Sequence, residues 1–324
     1  METRGTYRIL VFLIFVGTVY VLAASVIVRH LLARWHNNTS RSRPGIWYSR
    51  IILTLAAAGV LCGLYGYFVE PYWPEITHVQ IKSTKVQRGS GPVRVALISD
   101  LHSDPKVRLE NRLPTIIEKE KPDLIVFTGD CVNSVDGVPV FKQCMSQLSK
   151  LAPTFGVRGN WDTAYWRAQD LFGDTGVREL DGQGVDIDIR GTLVSINGFA
   201  VGHEAGITEA LDRMRPTTFN LFLYHYPDEI ETVADHGVDL YCAGHTHGGQ
   251  IALPWYGALI TLSKFDKKYE SGLYRVLDTF LYVNRGIGME GGRAPRVRFC
   301  ARPEVTVIDI VSAEKPLKTA ASAQ

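Results

Sequence analysis

The chain has 324 residues, 46% hydrophobic and 10% aromatic, and its 35 lysines and arginines nearly balance 33 aspartates and glutamates. That balance leaves no long-range field of the kind that draws nucleic acid, so no nucleic-acid partner is expected. The length fits one large domain or two smaller ones. Five cysteines, odd in number and without C-x-x-C spacing, exclude a disulfide framework and a zinc ribbon.

The chain opens on apolar material. Tyr7 to Val28 carries no charge except Arg8 and is long enough to cross a bilayer. It is too long for the apolar part of a cleaved signal peptide, and Ile51 to Phe68 follows as a second run. The spacing predicts a transmembrane hairpin over residues 1–75, anchoring a multi-pass protein of the cell (inner) membrane, with the bilayer as partner. Trp35, Trp47 and Tyr48 would lie near one interface, and Tyr67, Tyr72 and Trp73 near the other. Arg29, Arg34, Arg41, Arg43 and Arg50, with no acidic residue among them, favour a cytoplasmic connection and place everything after Trp73 outside. Arg4, Arg8, Lys82, Lys85 and Arg88 nearly match that count on the other side, which leaves the side open. Cys62 falls in the second span, and Cys131, Cys144, Cys242 and Cys300 read as small buried residues.

Pro71 and Pro74 close the second span, because proline cannot continue a helix. His78 to Gln87 alternates as a strand does, and Arg88 to Pro92 is a turn. One pattern then recurs. Val93 to Ile98, Leu124 to Phe127, Phe155 to Val157, Leu221 to Leu223 and Val238 to Ala243 are short apolar runs with the length and borders of buried strands. Arg108 to Lys121, at roughly helical spacing, joins the first two as a β-α-β unit. These elements make an α/β domain over 76–312, followed by a polar, disordered tail over 313–324.

Each apolar run ends in a metal-capable side chain. Asp100 and His102 follow the first, Asp130 the second, Asn160 the third, His225 the fourth, and His245 with His247 the fifth. Loops beyond the carboxyl ends of strands are where open α/β sheets hold ligands. Taken alone, Gly244-His245-Thr246-His247-Gly248 is equally a histidine-bearing turn without a ligand. Four nitrogen and three oxygen donors together are too many for one tetrahedral zinc, and suit two divalent ions with a bridging carboxylate. Without thiolates the set suits Mn, Fe or Zn. Such a pair can polarise a phosphoryl oxygen and activate water.

Asp100-x-His102, Gly129-Asp130, Gly159-Asn160, His225 and Gly244-His245-x-His247 together resemble the five signature blocks of the calcineurin-like metallophosphoesterases, across about Val93 to Ile310. Lys267-Lys268-Tyr269, Asn284-Arg285-Gly286-Ile287-Gly288 and Arg302-Pro303-Glu304 are similar to the bacterial membrane-associated branch, which includes enzymes proposed to hydrolyse the pyrophosphate of UDP-2,3-diacylglucosamine in lipid A synthesis. The resemblance implies a β-sandwich of two mixed sheets flanked by helices. It also implies one metal on Asp100, His102, Asp130 and His247, and a second on Asp130, Asn160, His225 and His245.

The chain departs from that pattern at one position. The family carries histidine after the asparagine, credited with stabilising the transition state or protonating the leaving oxygen, and here the stretch is Gly159-Asn160-Trp161-Asp162. Indole donates a hydrogen bond but cannot transfer a proton near neutrality. His203 is a candidate replacement acid, a plain loop histidine being the alternative. Trp161, Tyr165, Trp166 and Phe172 line an acyl or base pocket or pack as a helix face. Arg285, Arg293, Arg296 and Arg298 include a phosphate clamp or are solvated. His30, His36 and His236 follow no strand and take no role. Three readings result: a membrane-anchored phosphoesterase acting on an amphiphilic phosphodiester or pyrophosphate, an extracytoplasmic phosphodiesterase acting on envelope lipids or polymers, and a metal-binding membrane module weakened by Trp161.

Overall fold

A computed structural model describes residues 2–35, 45–292 and 295–313 of the chain. His36, Arg41, Arg43, Arg293 and nearly all of the expected tail lie outside the described residues.

Between Glu75 and Ser312 two six-stranded sheets pack face to face. The first runs β1 (Glu75–Ser83), β14 (Glu304–Ser312), β2 (Val93–Ile98), β3 (Leu124–Phe127), β4 (Thr154–Gly156) and β5 (Arg178–Glu179). The second runs β12 (Gly272–Val276), β13 (Thr279–Val283), β9 (Leu240–Ala243), β8 (Phe219–Leu223), β7 (Thr192–Gly198) and β6 (Val185–Ile189). Both are mixed. In the first only β14 and β2 pair antiparallel, and in the second the outer pairs β12–β13 and β6–β7 do.

Strand residues alternate between faces. Val93, Val95 and Leu97 meet Leu221, Leu223 and Leu240 across the interior of the sandwich. Ala96, Ile98, Ile125 and Phe127 point the other way, onto helices α3 (Leu113–Glu120) and α4 (Val138–Leu148), through Leu113, Ile117, Phe141 and Met145. The outer face of the second sheet is covered likewise, with Phe222, Tyr241 and Leu281 against Ile207, Leu211 and Ile230. Strands buried on both faces read as unbroken apolar runs, which is why the sequence shows them so plainly.

Some boundaries differ from expectation. The first strand spans Glu75–Ser83 rather than His78 to Gln87, because β1 stays in parallel register with β14 from Glu304 to Ser312. The helix read over Arg108 to Lys121 begins at Leu113, since the Glu110 carboxylate ties up the Arg108 and Leu109 N–H groups in a turn before it. It stops where Lys121 turns left-handed, at φ +51°. Cys131, Cys144 and Cys242 are buried, but Cys300 is exposed.

Ahead of the sandwich stand two helices long and apolar enough to cross a membrane, α1 (Glu2–Trp35) and α2 (Ile46–Phe68). They pack antiparallel, with Val19, Leu22 and Ala23 against Ile52 and Ala56, while most of their apolar side chains face outward.

Candidate metal centre

The five ligand-bearing loops belong to strands that run parallel within their sheets, β2–β3–β4 in one and β8–β9 in the other. Their carboxyl ends therefore share one edge of the sandwich. Asp100, His102, Asp130, His245 and His247 all take left-handed backbone, with φ between +40° and +72°. Side chains other than glycine adopt such angles rarely and at a cost. Here the angles turn the chain back sharply at the strand end. Two glycines make room. A Cβ at Gly159 would strike Asp130 Oδ1, and one at Gly244 would strike Ser99 Oγ and Asp100 Oδ2.

The donors converge. His102 Nε2 lies 3.4 Å from Asp130 Oδ2, His225 Nε2 lies 3.3 Å from the same oxygen, and His247 Nε2 lies 3.4 Å from Asp100 Oδ1. Two overlapping sets, Asp100–His102–His247 and Asp100–Asp130–His225, have their ligand atoms within 4.8 Å of one another. Asp100 is thus shared between these sets, where the family pattern has Asp130 as bridge. His245 falls in neither set, although its ring stands edge-on to His225 at 5.1 Å and its N–H donates to the Asp100 carboxylate at 3.2 Å.

A divalent cation fits this arrangement. Both nitrogens of His102, Nε2 of His225 and Oδ1 of Asn160 are buried without a hydrogen-bond partner, and buried polar atoms are rarely left so. His225 Nδ1 sits 2.8 Å from the Thr128 carbonyl, which leaves Nε2 free to ligate. His245 Nε2 sits 3.4 Å from the Leu262 carbonyl, which frees its Nδ1 in the same way.

Electrostatics tell the same story. Burial and then the facing Asp130 push the Asp100 carboxyl up. Burial also pushes Asp130 up, but His225 and His102 outweigh it and hold that carboxyl well below its usual range. Burial depresses His225, yet the Asp130 and Asp100 carboxylates raise it to about 9. Burial and the charge on His225 take His245 down to about 3. In the metal-free protein a proton on His225 therefore occupies the place of a cation. Its folded pKa exceeds the unfolded value, so its contribution to stability is complete below about 6.5 and is lost as pH rises through 9. Metal must displace that proton. Calorimetric titration with Mn²⁺ near pH 7.5, in buffers of different ionisation enthalpy, should show about one proton released and binding that tightens towards pH 9. Uptake independent of pH would remove His225 from the donor set.

Several residues that support the site carried no role in the sequence reading. Asp162, fully buried, accepts from the backbone N–H groups of Asp130, Cys131 and Gly159, each at 2.9 Å, and so ties the Asp130 loop to the start of helix α5 (Asn160–Tyr165). Its place three residues after Gly159 fits a helix-capping residue, a signal the sequence does hold. Burial and then Asp130 raise its carboxyl to about 6. Glu290 is near Trp161 and His102, and burial raises its carboxyl too. Trp161 also donates its backbone N–H to Asp130 Oδ1 at 2.9 Å and sets its ring edge-on to His102 at 5.4 Å.

Among the described residues the candidate arginines are engaged elsewhere. Arg285 pairs with Glu75 and Glu304, and Arg296 with Asp104. Arg298, wholly buried, donates to the carbonyls of Gly288, Ala301 and Arg285 and reaches His247 Nδ1 at 3.2 Å. It is neither solvated nor open to a phosphate. His203 pairs with Asp181 at 2.7 Å on an exposed turn and touches none of the seven donors among the described residues.

A family model described as calcineurin-like phosphoesterase matches residues 93–249. The chain is 35% identical over 278 residues to YkuE of Bacillus subtilis (strain 168), an uncharacterized metallophosphoesterase, across 79% of this chain and 93% of that one. It is 30% identical over 257 residues to the phosphodiesterase YaeI of Escherichia coli (strain K12), across 76% and 92%. It is 27% identical over 322 residues to the UDP-2,3-diacylglucosamine pyrophosphatase LpxG of Chlamydia muridarum (strain MoPn / Nigg), across 80% and 96%.

Proposed function

The chain belongs to the calcineurin-like phosphoesterase family, and from that premise we propose a membrane-anchored dinuclear enzyme that cleaves a phosphodiester or pyrophosphate bond of an amphiphile, with UDP-2,3-diacylglucosamine as leading substrate. Membership makes it a metal-dependent hydrolase of phosphoester bonds. The observation that carries the reading is the convergence of Asp100, His102, Asp130, His225 and His247, with buried donor atoms of His102, His225 and Asn160 left unpartnered. Asp100, His102, Asp130 and His247 would hold one ion, and Asp130, Asn160, His225 and His245 the other. Bound there, Mn, Fe or Zn would supply a Lewis acid for the phosphoryl group and a nucleophile at neutral pH. The similarity to the chlamydial pyrophosphatase supports the substrate, and α1 and α2 support a substrate that partitions into a bilayer.

The second reading, an extracytoplasmic phosphodiesterase acting on cell-envelope lipids or polymers, is favoured by Arg29, Arg34 and Arg50 beside the α1–α2 connection. A reporter fused after Gln324 separates the two. A cytoplasmic signal is expected, and an external one would rule out the nucleotide-sugar substrate. Purified protein with Mn²⁺ should also hydrolyse bis(p-nitrophenyl) phosphate; no turnover of any phosphoester would leave the inactive module.

Trp161 bears on substrate choice. With indole at that position the chain supplies no proton there to the departing oxygen. A nucleotide leaving from a pyrophosphate needs less protonation than an alkoxide. Trp161→His should therefore raise turnover of a dialkyl phosphodiester by about 10²-fold, while bis(p-nitrophenyl) phosphate changes by less than about 3-fold. Equal responses to the two leaving groups would mean that position 161 lacks no acid.

A further inference from the structure

We propose that the hairpin β10–β11 (Ala252–Leu253 and Gly257–Ala258) and the loop after it form a lipid-docking surface that seats the metal centre against the bilayer. The inference rests on reading α1 and α2 as membrane-spanning. Trp255, at the hairpin tip, is fully exposed and held left-handed at φ +61°. Tyr256 is 48% exposed, and Leu262 is 57% exposed at φ +58°. Trp255 and Leu262 are bulky apolar side chains held largely exposed in a costly backbone conformation, which points to a partner outside their own chain.

The structure says which partner. The same loop meets the start of α1. A Cβ at Gly5 would lie 3.1 Å from the Ile260 side chain, and Arg8 pairs with Asp266 while reaching the Leu259 carbonyl at 3.3 Å. The segment paired with the hairpin's base meets the end of α2: Arg298 N–H donates to the Gly66 carbonyl at 2.9 Å, and Phe299 packs edge-on to Tyr65 at 6.2 Å. Gly66 and Tyr65 belong to the apolar part of α2, so this face of the domain stands at the level where the helices leave the hydrocarbon. Tryptophan and tyrosine favour that interface, with an apolar ring and a polar edge.

The hairpin is also rigidly joined to the ligands. Lys267 lies 4.1 Å over the Tyr256 ring and donates to the Ala258 carbonyl. The turn carrying His245 and His247 packs on the hairpin so closely that a Cβ at Gly249 would lie 2.9 Å from Ala258 Cα. The Leu262 carbonyl is the partner of His245 Nε2, while its side chain faces outward. An amphiphile could then present its phosphoryl group to the site with its acyl chains still in the membrane.

The test uses the full chain reconstituted in phosphatidylcholine–phosphatidylglycerol vesicles, with the exposed cysteines removed as Cys62→Ala and Cys300→Ser. An environment-sensitive fluorophore is attached through Trp255→Cys and, in a separate sample, through Asp278→Cys in the β12–β13 turn at the opposite end of the second sheet. Lipids carrying a shallow spin label should quench the first label several-fold more than the second. Equal quenching overturns the proposal. So does self-quenching of the first label that grows with protein density, since a second copy would then cover the hairpin. A companion measurement compares substrates. Trp255→Asp combined with Tyr256→Asp should lower hydrolysis of a vesicle-held phosphodiester about 10-fold and leave soluble bis(p-nitrophenyl) phosphate unchanged. The quenching readout needs no catalysis, so failure of the docking surface and failure of the phosphoesterase reading remain distinguishable.

Discussion

Asp130→Ala should lower turnover of every phosphoester substrate by more than the 10²–10³-fold that loss of one electrostatic donor costs, to about the uncatalysed background. Asp130 Oδ2 faces the Nε2 atoms of both His102 and His225, at 3.4 and 3.3 Å, and Oδ1 is fixed by the Trp161 N–H. Asp100 also reaches both sets, but its Oδ1 stands farther from His225 Nε2, at 4.0 Å, than Asp130 does. With alanine there, His102 and His225 lose the carboxylate that balances a cation between them, and at least one ion should be lost. Metal content by plasma emission spectrometry, read beside turnover, checks both. Full metal content with residual activity within 10-fold of the parent would mean that Asp130 is no bridge.

Asp162→Ala should destabilise the fold and loosen the metal centre without removing any ligand. Three buried backbone N–H groups, of Asp130, Cys131 and Gly159, would lose their acceptor. Each such orphan costs about 1–3 kcal/mol, and water entering the cavity would recover part of it. A loss of about 3 kcal/mol is expected overall, seen as a lower unfolding midpoint in detergent and a weaker Kd for Mn²⁺. Asp162→Asn keeps the size and one carbonyl acceptor, and should fall between parent and alanine. If asparagine matched the parent, one of the three bonds would suffice. If alanine did, the loop would be held by something other than this carboxylate.

The difference between Asp130 and Asp162 shows how far the chain could be read without coordinates. Asp130 sits three residues beyond a run of four apolar residues buried on both faces, so strand, strand end and ligand position are all local properties. The same logic locates Asp100, His102, His225, His245 and His247. Strands β2, β3 and β4 of the first sheet were legible for that reason, while β14 and β5 were not. The second sheet was legible only through β8 and β9, because its remaining strands carry mixed patterns. In β6 and β7 Asp186, Asp188 and Ser195 alternate with apolar residues, and antiparallel pairing at a sheet edge leaves no trace in local sequence. Glu290, and the place of Arg298 beside His247, were missed on similar grounds. They come from an irregular segment far along the chain, and only the tertiary fold brings them to Trp161 and His247. The arginines near the end illustrate the converse error. Composition suggested solvated charge or a clamp, whereas burial made Arg298 a strut.

That strut has a consequence for the apolar helices. Arg298 holds His247 with its guanidinium and the Gly66 carbonyl with its backbone N–H. The buried Glu70 carboxylate, just past the end of α2, accepts from Cys300 and Ala301 at 3.0 and 2.6 Å. The last turn of the apolar hairpin is thus a structural brick of the catalytic pocket and not a leash attached to it. Cutting the chain before Glu75 would free a domain whose histidine turn had lost its foundation. In this architecture the seating of the apolar helices and metal affinity are one property.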